Sequence, residues 1–183
     1  MRESQVSPRR KALRLPTRDY SQAGSYFVTI CTHQKKCVLG SVESARVQLS
    51  RVGEIVRATW NALPERFPRV VLDELVIMPN RLHAILTLVV EELAPPRSVN
   101  MSKMPASRRP VHFSLPDVIG AFKSISTIHV NRLLNSRGSP LWQKSYFEHV
   151  IRSGEDLKNS QRYILENPLK WSLDEENPGW LRK

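Results

Sequence analysis

The sequence predicts an α+β sandwich in which an antiparallel sheet carries its helices on one face. Three observations point there. Residues 70–90 hold two apolar runs separated by Pro79 and Asn80. Two segments with helical apolar spacing each open on a serine. A β-branched and aromatic run begins at Ser25. The elements fall in the order β-α-β-β-α-β, and one further helix follows at the C-terminal end.

The run SYFVTICTH suits a central strand, because β-branched and aromatic side chains pack well on a pleated surface. Cys37 to Leu49 reads as a hairpin around Gly40. Ser50 caps a helix whose apolar positions Val52, Ile55, Val56, Thr59 and Leu63 share one face and which ends before Pro68. Glu54 lies in its first turns, where the helix dipole favours negative charge. VVLDELVIMPNRLHAILTLVV then supplies two antiparallel strands with a tight connection. Ser114, Pro116 and Asp117 start a second helix, with Val118, Ile119, Phe122, Ile125 and Leu133 on one face up to Gly138. LWQKSYFEHVI is a further strand, and Ser153 with Glu155 and Asp156 opens a last helix that stops at Pro168. This order fits a ferredoxin-like sandwich, which leaves the face of the sheet opposite its two helices free for a ligand.

The expected organisation is a basic arm over residues 1–19, one domain over 20–178 and a short tail over 179–183. A loop at about 91–116 contains Pro95, Pro96, Pro105, Pro110 and Pro116 with Arg97, Lys103, Arg108 and Arg109, and it is expected to be long and exposed. Lys and Arg total 28 against 17 Asp and Glu, a net charge of +11 and a pI near 10.2. Such an excess suits a polyanionic partner, nucleic acid before an anionic membrane, and equally suits a basic protein kept soluble by its charge. Arg2, Arg9, Arg10, Lys11, Arg14 and Arg18 fall in the arm, which either orders on that partner or stays a solvated tail. No run reaches the roughly 18 to 20 apolar residues of a membrane span, and MRESQVSPRRKALRLP lacks the apolar centre of a signal peptide; the expected location is the cytoplasm. Cys31 and Cys37 show no CxxC spacing and read as reduced thiols, Cys31 with a packing role.

Two groups of residues carry candidate chemistry. In MPNRLHAIL, Arg81 and His83 lie two apart on a strand and share a face, while Leu82, Ala84 and Leu86 face the core. In RYILENP, Tyr163 and Asn167 are spaced i, i+4, which puts a phenol and a carboxamide on one helix face; Leu157 and Ile164 lie on another and dock the helix. Each has an ordinary structural reading beside the chemical one. A lone strand histidine is usually just hydrogen-bonded, a helical tyrosine usually packs, and an asparagine before proline usually ends a helix. Tyr146 is a rival nucleophile, but its aromatic strand suggests a structural role. The glycine and aromatic signature of RNA-recognition domains is missing.

The segments LRLPTRDYSQAGSYFVTICT, LPERFPRVVLDELVIMPN, VIGAFKSIST, LWQKSYFEHVIR and YILENPLKW, in this order and spacing, resemble the HUH transposases that use a single tyrosine, particularly the REP-associated tyrosine transposases of bacteria. The resemblance runs from about Arg10 to Pro178. It implies a divalent metal, Mg²⁺ or Mn²⁺, held by His-hydrophobic-His on the strand after MPN and by a Gln or Asn from the tyrosine helix. Those positions are Arg81, His83 and Asn167. It also implies that Tyr163 attacks a phosphorus of single-stranded or hairpin DNA, leaving a 5′-phosphotyrosine and a free 3′-OH, with rejoining by reversal. A phenol with a pKa near ~10 is a weak nucleophile, which is why such a site needs a cation to stabilise developing charge.

At Arg81 the chain departs from that pattern, since arginine stays protonated and has no lone pair for a metal. Arg81 can instead bind the scissile phosphate bidentately, as a catalytic cation beside Tyr163. His83 and Asn167 remain the metal-ligand candidates, with His33, His149 and Glu148 as further donors on the same sheet. DNA contacts are expected from Arg9, Arg10, Lys11, Arg14 and Lys123, with Arg132 and Arg137 on the same helix as Lys123. The resemblance allows a homodimer without requiring one. Two other readings stay open: a repurposed DNA-binding protein in which Arg81 replaces catalysis with phosphate contact, and an RNA-binding module on the same fold.

Overall fold

A computed structural model describes residues 23–90 and 113–177. The basic arm, most of the proline-rich loop and the tail lie outside the described residues. Strands β1 (Gly24–Cys31), β4 (Val70–Met78), β5 (Arg81–Leu88) and β6 (Phe147–Ile151) form an antiparallel sheet in the order β4-β5-β1-β6. Helices α1 (Arg51–Asn61) and α3 (Leu115–Leu134) cover one face, as the ferredoxin-like order predicts. Alternation along the strands does the sorting. Tyr26, Val28 and Ile30 of β1 and Leu82, Ala84 and Leu86 of β5 point to the helices, where Val56, Trp60, Ile119 and Phe122 complete one core. Trp60 meets Phe122 edge-on at 5.1 Å.

The helix starts follow the sequence. Ser50 accepts from the Gly53 N–H, and Ser114 with Asp117 forms a capping box. α3 ends at Asn135, which takes the left-handed conformation at φ 49°. The first predicted helix divides, because Pro64 fits the first turn of a new short helix, α2 (Leu63–Arg66), rather than the continuation of α1.

Three boundaries differ from expectation. The hairpin of β2 (Gly40–Glu43) and β3 (Arg46–Leu49) turns at Ser44 and Ala45, with φ 49° and 60°, and not at Gly40. Gly40 lies inside the hairpin because a Cβ there would stand 2.3 Å from the Gln48 carbonyl oxygen. The strand expected from Leu141 is interrupted: Trp142 bridges Thr32, and regular pairing resumes only at Phe147. Helix α4 (Gly154–Lys170) runs through Pro168 instead of stopping there. A proline this close to the helix end removes one late hydrogen bond without breaking what precedes it. Asn167 is therefore helical and buried, and its Nδ2 donates to the Tyr163 carbonyl at 3.0 Å.

α4 lies across the other face of the sheet, over β4 and β5, with Ile164 against Phe27 and Ile85. After it, a 3-10 turn (Trp171–Leu173) leads into residues 174–177, which return toward the first residue of β5. No helix among the described residues is long and apolar enough to cross a membrane.

Candidate active site

The two-residue period of β5 puts Arg81 and His83 on the α4 side of the sheet, and register places Cys31 opposite Arg81 and Thr29 opposite His83. One helical turn of α4 separates Tyr163 from Asn167; Tyr163 reaches His83 and Asn167 reaches Arg81. The Arg81 Nε–H donates to His83 Nε2 at 2.9 Å, and Arg81 Nη2 donates to Asn167 Oδ1 at 3.4 Å. Tyr163 is 47% exposed, with its ring edge-on to His83 at 5.4 Å and to Phe27 at 5.7 Å. The four side chains named for chemistry, Arg81, His83, Tyr163 and Asn167, thus form one cluster. Arg81, His83 and Tyr163 line an open cleft of about 740 Å³.

Partners outside the expected set complete the cluster. Arg81 forms a partly buried ion pair with Asp174, and its Nη1 donates to Asn80 Oδ1 at 3.1 Å and to Glu176 Oε2 at 3.4 Å. Its guanidinium also lies over the Trp171 ring at 5.6 Å. Lys35 pairs with the same Glu176 at 2.5 Å. The signal that could have found Asp174 and Glu176 is their setting: an acidic stretch, LDEEN, directly after the helix of a basic chain. Its contact with Arg81 depends on the tight turn at Trp171–Leu173, which spacing alone does not announce.

Hydrogen bonding fixes the state of His83. Nε2 accepts from Arg81, so the ring proton sits on Nδ1 and donates to Thr29 Oγ1 at 2.8 Å. Burial, and next the Arg81 charge, push its pKa down to about 3, with Asp174 pulling weakly the other way. Cys31, facing Arg81, has its thiol pKa pushed up, chiefly by burial. It is half-buried and borders the cleft.

The residues present do not fit a divalent metal. The guanidinium stands between His83 Nε2 and Asn167 Oδ1, the atoms that would have to turn toward an ion, and it carries the charge itself. No group of three or more His, Cys, Asp and Glu among the described residues could hold a metal ion. The further donors do not join the cluster. His33 belongs to a turn beyond β1, its N–H bonded to the Leu141 carbonyl. Glu148 faces the helix side of the sheet, its carboxylate oxygens buried. His149 borders the cleft but pairs with Asp156 at 3.0 Å. Tyr146 packs against the main core, away from the cleft.

Of the expected DNA contacts, Arg9, Arg10, Lys11 and Arg14 lie outside the described residues. Lys123 donates to the carbonyls of Gln143 and Lys144 at 2.6 and 2.8 Å, which ties α3 to the segment before β6. Arg132 and Arg137 line a separate surface cavity at the end of α3.

No family model matches the sequence. A protein of Haemophilus influenzae named only as uncharacterized is 31% identical over 169 residues, spanning 91% of this chain and 92% of that protein. A second H. influenzae protein, named "Putative REP-associated tyrosine transposase", is 24% identical over 163 residues, 89% of this chain and 80% of that one. The solved structure of a REP-associated tyrosine transposase bound to a REP hairpin shares the fold, with a TM-score of 0.50 at 19% identity over 86% of this chain and 73% of that one. The chain is thus similar in sequence to a protein named as a REP-associated tyrosine transposase and shares its fold with a solved one.

Proposed function

We propose that this protein binds single-stranded or hairpin DNA and does so without a divalent metal, Arg81 being the resident cation of its site. One observation carries the reading: the Arg81 Nε–H bond to His83 Nε2 at 2.9 Å, which commits the histidine's second nitrogen to an arginine. The net charge of +11 and the open cleft support a polyanionic ligand, and the solved transposase that shares this fold is bound to a REP hairpin. The test measures binding of hairpin DNA from the gene's flanks by fluorescence anisotropy with EDTA or with Mn²⁺, and scores covalent adduct on a denaturing gel. Equal affinity in both conditions and no adduct is the expected result. A metal-dependent adduct that disappears in Tyr163→Phe overturns it.

A second reading keeps strand cleavage and rejoining through Tyr163, and the placement of that side chain favours it: exposed, in the cleft and edge-on to His83. The phenol oxygen bonds to phosphorus, the bond to the 3′ oxygen breaks, the phenol proton passes to solvent and the departing 3′ oxygen takes one from solvent, because both His83 nitrogens are engaged. All five guanidinium N–H groups also have acceptors, so Arg81 reaches a phosphate only if Asp174 and Glu176 let go of it. An adduct from the native protein in EDTA, lost in Tyr163→Phe, is the result that selects this reading.

A further inference from the structure

The sheet face that carries the site is only partly covered. α4 packs over β4 and β5 through Ile164 and Leu157, and residues 171–177 close the end at Arg81. Among the described residues, the half along β1 and β6 stays open. There, register sets Phe27 opposite His149 and Thr29 opposite Phe147. Phe147 is 52% exposed and lines the same cleft as His83 and Tyr163, whereas Phe27 on the same face is 8% exposed.

We propose that Phe147 is the stacking platform for an unpaired nucleobase of the DNA strand that passes Tyr163. The inference rests on the DNA-binding reading above and names a second part of that site. Thr29 is the register partner of both His83 and Phe147, so Phe147 stands two strand spacings from His83, about 10 Å. A base attached to the nucleotide next to the cluster reaches that far. Any base stacks on an exposed ring, because every base has a π-face. The Thr29 hydroxyl, Asn159 and Ser160 border the cleft and offer polar groups to a base edge. Charge agrees with the ligand: Lys144 and Arg152 flank β6 at its two ends and Lys158 lies in the first turns of α4, all three exposed cations suited to phosphates.

The experiment measures anisotropy of the full chain with a blunt hairpin, with the same hairpin carrying a single-stranded extension, and with one abasic position stepped along that extension. Wild type is compared with Phe147→Ala and Phe147→Tyr. The expected result is that Phe147→Ala weakens binding of the extended hairpin by roughly five- to hundredfold and leaves the blunt hairpin unchanged. Wild type loses affinity at one abasic position, Phe147→Ala is insensitive there, and Phe147→Tyr restores the wild-type pattern. Unchanged affinity in Phe147→Ala, or a wild type indifferent to every abasic position, overturns the subsite while the DNA-binding reading stands. A wild type that binds no DNA at all overturns both.

Discussion

The Nε–H of Arg81 donates to Nε2 of His83 at 2.9 Å, between same-face neighbours of a single strand. Both side chains are buried, Arg81 at 7% and His83 at 3% exposure. A buried guanidinium is stable only where acceptors surround it, and here His83, Asn80, Asn167, Asp174 and Glu176 do so. Histidine and asparagine from two elements, and two carboxylates from a third, therefore converge on one cation that is covalently part of the chain.

That arrangement makes His83 a source of acid sensitivity. Its folded pKa is about 3 against an ordinary 6.5, so the unfolded chain binds more protons between those values and the fold's advantage is complete only above pH 6.5. Stability is expected to fall by about 1.4 kcal/mol per pH unit as pH drops through this window. His83→Gln, which cannot titrate, should flatten that slope. Urea unfolding between pH 7 and 4 checks it, and parallel slopes for the two proteins would refute the assignment.

Removing the cation should strand its carboxylates. Arg81→Met is expected to cost about 1–3 kcal/mol, less than a fully buried pair would, because the Asp174 and Glu176 side chains are 22% and 29% exposed and regain some water. Combining Arg81→Met with Asp174→Asn should cost less than the sum of the two single changes by about 1 kcal/mol or more, since they act on one pair. A double-mutant cycle from denaturant melts measures this coupling. Additive losses would show that the pair contributes nothing.

The fold was legible wherever local pattern and tertiary demand coincide. The period-two alternation of LHAIL assigned Leu82, Ala84 and Leu86 to the core and left Arg81 and His83 together, and Ser50, Ser114 and Ser153 marked helix starts. Legibility failed where backbone conformation is imposed by neighbours. Ser44 and Ala45 adopt positive φ without an Asn-Gly signal, and Pro168 is absorbed into the end of α4. The site was half visible for the same reason. Spacing paired Tyr163 with Asn167, but Asp174 and Glu176 reach Arg81 only because the chain reverses after Trp171, a long-range contact that leaves no periodic trace.

Glycine positions in two helices give opposite expectations for the same substitution. An added Cβ at Gly53 in α1 would lie 2.1 Å from the Leu39 carbonyl oxygen, whereas one at Gly120 in α3 would meet nothing within 4 Å. Gly120→Ala should stabilise by about 0.5–1 kcal/mol through lower backbone entropy in the unfolded chain. Gly53→Ala should destabilise by about 2–3 kcal/mol, because the overlap is with backbone, which cannot rotate away. Thermal melts of both variants give the signs, and a stabilised Gly53→Ala would mean that α1 sits farther from Leu39 than described.

Docking of α4 determines whether Tyr163 and Asn167 stay beside β5. Ile164 is fully buried between them in sequence and packs on Phe27 and Ile85, while Leu165, the next residue, is 63% exposed. Ile164→Ala removes three carbons from this small second core and is expected to cost about 2–4 kcal/mol, whereas Leu165→Ala should change stability by no more than about 0.5 kcal/mol. The loss should also be local. Hydrogen exchange of α4 amides, including that of Asn167, is expected to speed up in Ile164→Ala before the amides of β1 and β5 respond, because the main core lies on the other face of the sheet. Uniform acceleration across α4, β1 and β5 would instead make α4 part of the same cooperative unit, and Tyr163 would then be held by the stability of the whole domain.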